Sequence, residues 1–215
     1  MAANQPAGVD FEEEIRRREA LILGEAPRIL PLDANLIAEA AVESTREIRK
    51  AAGSTTPVTA ATIPELVATL MCHPELFRAV AGLSIQLQGR GVLASRDRQL
   101  AILRTAWLSQ TPYAWGEHVN HSKRIGFTSE EISAVAQGSA APGWGEHERA
   151  VLCAVEELDR DAMICDETWA TLARRLDEKQ LFELTVLVGQ FTTIAYFQNS
   201  LRLRLSAGNM GLCAR

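Results

Sequence analysis

The amino-acid sequence predicts an all-α fold, and three observations support this prediction. No run of residues alternates apolar and polar side chains around an Asn-Gly type of turn, as a β-hairpin would require. β-branched residues are sparse, and apolar residues recur instead at helical spacing. Helix-starting and helix-ending residues such as Pro64, Pro112 and Gly126 divide the chain into successive segments. With 215 residues, 47% of them hydrophobic, the chain has enough apolar material for one sizeable core or two small helical lobes.

The first 30 residues are polar and charged, and Pro27 and Pro31 interrupt the chain at their end. We therefore expect residues 1–30 to form an N-terminal arm, with a short helix over Phe11–Leu23. Residues 31–215 are expected to form a single all-helical domain. Within it, Asp33 is a good N-cap for a helix that runs to Ala52.

Further helices follow from local start and stop signals. Pro64 suits the first turn of one helix, Ser95 can cap a later one, and Thr128 with Glu131 forms a capping box. The expected helices beyond Pro64 cover residues 65–72, 75–89, 95–108, 112–125, 128–137, 147–160, 166–176 and 178–205.

Charge and hydropathy exclude two classes of partner. The formal net charge of -5 argues against a nucleic-acid surface, and clusters such as Lys123-Arg124 are read as solvated helix faces. No apolar run approaches the ~18 residues of a membrane span, and the N-terminus lacks the pattern of a secretory signal. We therefore expect a cytoplasmic protein that acts on a small molecule.

The four cysteines form no C-x-x-C pair. They are Cys72, Cys153, Cys165 and Cys213. In a chain without a secretion signal, we expect reduced thiols, three of them buried in the core.

The densest group of reactive side chains lies in TPYAWGEHVNH, residues 111–121. On a helix, His118 and His121 share one face, and Glu117 is an i,i+4 neighbour of His121. A carboxylate beside an imidazole gives a general base, and Tyr113 and Trp115 add aromatic surface. The alternative is a surface helix with solvated histidines. A metal held by His118-x-x-His121 is disfavoured because the diiron spacing Glu-x-x-His is absent, so no metal is expected.

One tetrapeptide is repeated: Trp115-Gly116-Glu117-His118 recurs as Trp144-Gly145-Glu146-His147. The flanking residues differ, and the second copy lies at the start of a helix. We interpret the repeat as coincidence rather than as a duplicated site.

The segment RDRQLAILRTAWLSQTPYAWGEHVNHSKRIGFTSEEISAVAQG resembles the core signature of carboxymuconolactone decarboxylase and alkylhydroperoxidase D-like (AhpD-like) proteins. The clear similarity covers about residues 95–138, and weaker likeness extends over residues 28–205, as in the longer subgroup of roughly 200 residues. The resemblance implies a multi-helix bundle of the AhpD-like type and a homo-oligomer, such as a dimer, trimer or hexamer.

The peroxidase branch of that family uses C-x-x-C-x-x-x-H with an upstream Glu. The corresponding positions here are Thr111, Ala114, His118 and Gln99. A thiol peroxidase is therefore not expected, because a disulfide cycle needs both thiolates. The decarboxylase branch keeps the histidine alone, which His118 matches.

The resemblance together with the residues predicts a cofactor-free lyase or isomerase that acts on a small carboxylated or oxygenated cyclic substrate. A non-catalytic binding or scaffold protein of the same fold is the alternative. Arg104 could bind a carboxylate or form a structural ion pair, and Asn199 and Gln198 could reach the site or join two helices. The expected catalytic residues are His118, His121 and Glu117, and the expected substrate-binding residues are Tyr113, Trp115, Arg104, Gln99 and Asn199.

Overall fold

A computed structural model describes residues 11–37, 39–51 and 57–215, and in this part of the chain the all-α prediction is confirmed. The described residues form ten α-helices and three short 3-10 turns, with no strand. The helices are α1 (Phe11–Leu23), α2 (Glu39–Ala51), α3 (Glu65–Leu70), α4 (Pro74–Gly89), α5 (Ser95–Leu108), α6 (Pro112–Arg124), α7 (Ser129–Gln137), α8 (Glu146–Asp161), α9 (Asp166–Leu172) and α10 (Glu178–Leu201).

Local capping signals predicted some boundaries well and others poorly. Helix α1 has the predicted bounds, and the capping box of Thr128 and Glu131 is present at α7. Asp33, however, caps only the 3-10 turn Ala34–Leu36, because its side chain accepts a hydrogen bond from the Asn35 backbone N–H, and α2 begins later. The predicted helix end at Ala52 lies outside the described residues. Ser95 is the first residue of α5, not its N-cap.

Helix α5 forms the centre of the main core. It packs against α6, α7, α8 and α10. Leu100, Ile102 and Leu103 are completely buried although they point to different sides of the helix. A helix that buries apolar side chains on several sides is stable only when neighbouring helices cover those sides, which is how α5 fixes the positions of α6 and α10.

A second, smaller apolar cluster lies beside this core. Helix α2 packs against α4, and buried side chains including Val67, Met71 and Phe77 fill the space between α2, α3 and α4. The two clusters are separated by a cavity, so residues from both of them can contribute to its walls.

The two ends of the described chain meet beside α6. Ile15 of α1 belongs to the main core, and Glu19 accepts a hydrogen bond of 2.6 Å from the Leu212 backbone N–H. The indole Nε1 of Trp115 donates to the Ala214 carbonyl oxygen at 3.0 Å. The C-terminal segment is thereby held against the helix that carries the two candidate histidines.

The prediction that three cysteines are core residues is wrong. Cys72, Cys165 and Cys213 are exposed, and Cys153 is half-buried. Cys72 follows the end of α3, and Cys165 is the N-cap of α9, so neither occupies an inward-facing helical position.

Among the described residues, no helix is both long enough and apolar enough to cross a membrane.

Candidate functional site

A cavity of about 420 Å³ lies between the two apolar clusters. This volume is within the range of small-molecule sites, about 300 to 1,000 Å³. Helices α2, α3, α4, α6 and α10 contribute to its walls. The apolar walls include Val67, Leu70, Phe77, Ala81, Phe191 and Ile194. Most polar residues at its border come from α6 and from the ends of α2 and α10.

His118 borders this cavity and is fixed by a buried amide. Its Nδ1 lies 3.0 Å from Oε1 of Gln99, and the Ser122 hydroxyl donates to the same oxygen at 3.3 Å. An amide oxygen only accepts hydrogen bonds, so Nδ1 carries the proton and Nε2 keeps its lone pair. The ring also meets Phe191 edge to face, with 5.0 Å between centroids. These contacts present a neutral imidazole with one tautomer to the cavity.

Burial keeps His118 neutral. Desolvation lowers the pKa of His118 to about 3, and the electrostatic influence of His121 and Arg124 acts in the same direction. At neutral pH the resting imidazole can therefore accept a proton or a hydrogen bond at Nε2, but it has no proton to give there. The acid/base role predicted for His118 stays a prediction, and the neutral imidazole is suited to accepting a proton first.

Gln99 is only 2% exposed and does not border the cavity, so its contact is with His118 rather than with a ligand. A glutamate at this position would stabilise the protonated imidazole, whereas the amide does so only weakly. Gln99 is therefore a positioning residue, which corrects its expected role in substrate binding.

Glu117 borders the cavity, and its carboxylate is held by the C-terminal segment. Ser206 Oγ donates to Oε1, and Asn209 Nδ2 donates to the same atom at 3.0 Å. The described hydrogen bonds of Glu117 thus run to Ser206 and Asn209, and none of them to His121. Asn209 also donates to the Tyr113 carbonyl oxygen at 2.9 Å. No residue pattern in the sequence indicated this contribution from the C-terminal segment.

Gly116 allows this close approach. A Cβ atom added at Gly116 would overlap Oδ1 and Cγ of Asn209. The glycine of the first Trp-Gly-Glu-His copy is therefore required by packing.

Tyr113 borders the cavity and is only 8% exposed. Burial raises the pKa of its phenol, and the negative charge of Glu117 raises it further. Tyr113 therefore remains a neutral phenol at the cavity wall.

His121 also borders the cavity, one turn after His118, with 6.4 Å between the ring centroids. Its Nδ1 lies 3.3 Å from Nη2 of Arg124, which borders the cavity as well although its residue is exposed. The sequence placed Arg124 on a solvated face, and the structure adds it to the rim of the site. Among the described residues, no group of three or more His, Cys, Asp or Glu side chains is arranged to hold a metal ion.

Besides Gln99, the structure places three further expected binding residues away from the cavity. Trp115 is completely buried and packs on Trp107, with 4.7 Å between ring centroids. Arg104 forms an ion pair of 2.9 Å with Glu156, as in the structural alternative. Asn199 joins two helices, because its Nδ2 donates to the Ser109 carbonyl oxygen at 3.1 Å.

The second Trp-Gly-Glu-His copy does not reach the cavity either. Trp144 Nε1 donates to the Gly138 carbonyl oxygen at 3.1 Å, and His147 Nε2 lies 2.9 Å from Oδ2 of Asp97. Glu146 and His147 occupy the first turn of α8, as the sequence predicted. This copy ties α8 to α5 and to the preceding loop.

Two further residues border the cavity, of which the sequence did not indicate Arg49 and left the role of Gln198 open. Arg49, near the end of α2, borders the cavity, but nothing in its pattern distinguishes it from the other charged residues of that helix. Gln198 is only 3% exposed and also borders the cavity. The sequence drew attention to Gln198 because it is a polar residue in an otherwise apolar helix.

Comparison with known proteins agrees with this architecture. Residues 74–157 match the model of the carboxymuconolactone decarboxylase family. No curated protein is detectably similar in sequence. Among solved structures, a protein of unknown function from Agrobacterium tumefaciens that carries the AhpD name is 24% identical, with a TM-score of 0.59, and the match covers 64% of this chain and 94% of that one.

Two further structures match a larger part of the chain. A variant of the debrominase Bmp8 in complex with 2,3,4-tribromopyrrole is 15% identical, with a TM-score of 0.70 over 86% of this chain and 94% of that one. An uncharacterized peroxidase-related protein from Ralstonia eutropha with an AhpD core is 16% identical, with a TM-score of 0.69 over 85% and 94%. These structures share the fold. Residues 74–157 therefore resemble the carboxymuconolactone decarboxylase family, and the chain shares its fold with these AhpD-like structures.

Proposed function

We propose that this protein is a cofactor-free enzyme of the lyase or isomerase type, which transfers a proton on a small carboxylated or oxygenated cyclic substrate. His118 acts first as the base. The observation that carries the proposal is the hydrogen bond from Nδ1 of a neutral His118 to Gln99, at the border of a mostly apolar cavity of about 420 Å³. The proposal is also supported by the Bmp8 variant, which has a similar fold and is in complex with the small ring 2,3,4-tribromopyrrole.

In the proposed reaction, Nε2 of His118 removes a proton from the substrate while Nδ1 stays bonded to Gln99. The resulting imidazolium returns the proton to another carbon in an isomerisation, or to a departing hydroxyl group, which leaves as water, in a dehydration. Both reactions begin and end with neutral His118. A decarboxylation consumes one proton, and the neutral imidazole does not supply it, so the proton must then enter from solvent.

The energetic cost of this step indicates what the substrate must contribute. With a pKa of about 3, protonating His118 at pH 7 costs roughly 5 kcal/mol in the empty cavity. A negative charge on the substrate offsets this cost because it stabilises the imidazolium. Tyr113 would donate a hydrogen bond to a developing oxyanion, with Glu117 and His121 setting the local charge.

A non-catalytic binding protein is the second candidate, and one specific observation favours it. An amide replaces the carboxylate expected beside the histidine, and the low pKa of His118 makes it a weak base. In that case the same cavity would bind the ring without changing it.

We test the proposal by following hydrogen exchange between substrate carbons and D₂O by NMR, with carboxylated lactones and cyclic enones as probes. His118→Ala is expected to abolish enzyme-dependent exchange or turnover. His73→Asn is the matched control, because His73 is exposed, lies outside the cavity, and caps α4 through a side-chain acceptor that asparagine retains. Equal rates for wild type and His118→Ala would contradict catalysis at this residue, and binding without exchange would favour the second candidate.

We further propose that the chain forms a homo-oligomer, acts in the cytoplasm, and has no nucleic-acid or membrane partner. Exposed apolar side chains on two neighbouring helices support self-association: Leu76 and Leu83 on α4, and Phe182 and Tyr196 on α10. Light scattering coupled to gel filtration would give a mass that is a multiple of 23.5 kDa, and a monomer at micromolar concentration would contradict this.

A further inference from the structure

Two buried polar atoms at the cavity have no hydrogen-bond partner among the described residues. They are Nη1 of Arg49, a donor, and Oε1 of Gln198, an acceptor. A buried polar group without a partner destabilises the folded state, and a charged group does so more strongly. Such groups are therefore rare unless a ligand supplies the missing partner.

Arg49 differs from its neighbour on the same helix. Arg46 is paired with Glu43, one turn earlier on α2, and its guanidinium also lies near the Val58 carbonyl oxygen. For Arg49 no ion pair is found within the described ranges, although its Nη1 is inaccessible to solvent. The cavity side of α2 thus carries a cation that forms no ion pair with any described residue.

The charges at the cavity favour an anion. Two guanidinium groups, Arg49 and Arg124, border it, against the single carboxylate of Glu117. Oε1 of Glu117 already accepts from Ser206 and Asn209. A guanidinium is planar and binds a carboxylate with two parallel hydrogen bonds.

Gln198 adds a second requirement on the ligand. Its Oε1 is buried and accepts only, so a partner must present an O–H or N–H group. Apolar side chains, including Phe77 and Phe191, make up much of the remaining wall, which suits the face of a ring.

We propose that Arg49 binds a substrate carboxylate while Oε1 of Gln198 accepts a hydrogen bond from a hydroxyl or ring N–H of the same molecule. The cavity then selects small ring carboxylates that carry one hydrogen-bond donor. This inference rests on the proposed function in one respect, namely that the cavity next to His118 is the substrate site. The bound carboxylate also supplies the negative charge that stabilises the His118 imidazolium in the proposed reaction.

The inference is tested by isothermal titration calorimetry at low salt. The probes are the three hydroxybenzoates, pyrrole-2-carboxylate, benzoate, and the methyl ester of the tightest-binding acid. Wild type is expected to prefer the acid to its ester, and Arg49→Met is expected to weaken the acid roughly 10-fold to 100-fold without weakening the ester. Arg46→Met is the matched control, because it removes an arginine from the same helix outside the cavity, and it should leave the dissociation constant unchanged.

Gln198→Leu tests the second contact. It removes the acceptor and keeps a similar volume, so the preference for donor-bearing acids over benzoate should disappear. Any of three results would overturn the inference. They are equal affinity of wild type for acid and ester, equal effects of Arg49→Met and Arg46→Met on acid binding, and no binding of any acid.

A structural role for Arg49 is tested separately by thermal unfolding without ligand. Because Nη1 has no described partner, Arg49→Met is expected to unfold at the same temperature as wild type or higher, and a fall of more than a few degrees would overturn the inference.

Failure of the proposed function is distinguishable from failure of this inference. The carboxylate site is supported and catalysis is refuted if wild type shows no turnover, Arg49→Met loses acid binding and His118→Ala retains it. Catalysis is supported and the carboxylate site is refuted if His118→Ala loses turnover but Arg49→Met binds the acid normally.

Discussion

Replacing Gln99 with glutamate should convert His118 from a neutral into a readily protonated imidazole. Gln99 is 2% exposed, and its Oε1 lies 3.0 Å from Nδ1 of His118. Unit charges about 4 Å apart attract by about 4 kcal/mol at an effective dielectric constant of about 20. That energy corresponds to about three pKa units. We therefore expect the pKa of His118 to rise from about 3 to about 6.

The change is measured by NMR titration of the histidine ring resonances, with His118→Ala to assign the His118 signals. Gln99→Met is the matched neutral control, and it should leave His118 unprotonated above pH 5. In Gln99→Glu the carboxyl and the imidazole titrate as a coupled pair, so the protonation of the ring itself is the quantity to follow. An unchanged His118 titration in Gln99→Glu would refute the assigned contact, and a wild-type pKa near 6.5 would refute the burial of the ring.

Three further predictions concern stability and binding. The pKa of His118 is about 3 in the folded protein but about 6.5 in the unfolded chain. The free energy of unfolding of wild type should therefore fall by about 2 to 3 kcal/mol between pH 6 and pH 4 through this residue. Chemical denaturation should show a smaller fall for His118→Asn, and equal falls would contradict the low folded pKa. Gly116→Ala should destabilise the fold by about 1 to 3 kcal/mol because its Cβ would overlap Asn209. Gly145→Ala in the second copy should cost about 1 kcal/mol or less because no atom lies within 3.4 Å of the added Cβ. Similar denaturation midpoints for the two variants would contradict the close packing of Gly116 against Asn209. Arg104→Met should destabilise the fold by about 1 to 3 kcal/mol, because Glu156 loses its charged partner and the Val135 and Ala136 carbonyl oxygens lose a donor. Calorimetry should nevertheless show unchanged binding of ring carboxylates, and weaker binding would place Arg104 at the site after all.

Much of the fold could be predicted from the sequence because helix signals are local. The bounds of α1 and the capping box at Thr128 depend on residues within one turn of each other. Asp33 misled the prediction because a side-chain acceptor can close a short turn as readily as it begins a helix. The exposed cysteines, such as Cys165 at an N-cap, show that an apolar pattern near a helix end does not determine burial.

The candidate site could be predicted only where it lies on one helix. Tyr113, Glu117, His118 and His121 share a cavity because helical spacing brings them to the same side of α6. The sequence did not separate Trp115 from these cavity residues, although Trp115 faces the opposite side of α6 and contacts the C-terminal segment.

Contributions from distant segments could not be predicted from local pattern. Arg49 belongs to a helix outside the matched family region, and Ser206 and Asn209 follow the last helix. Tertiary packing alone brings these three residues to α6. The family resemblance indicated Gln99, but only the structure shows that its amide contacts His118 rather than a ligand.

The most direct test of the account is the protonation and tautomer of His118 in wild type at pH 7, observed by long-range ¹H–¹⁵N correlation of the ring nitrogens. We predict a neutral ring with the proton on Nδ1 and an unprotonated Nε2. A doubly protonated ring, or a neutral ring with the proton on Nε2, would contradict the assignment of His118 as the base.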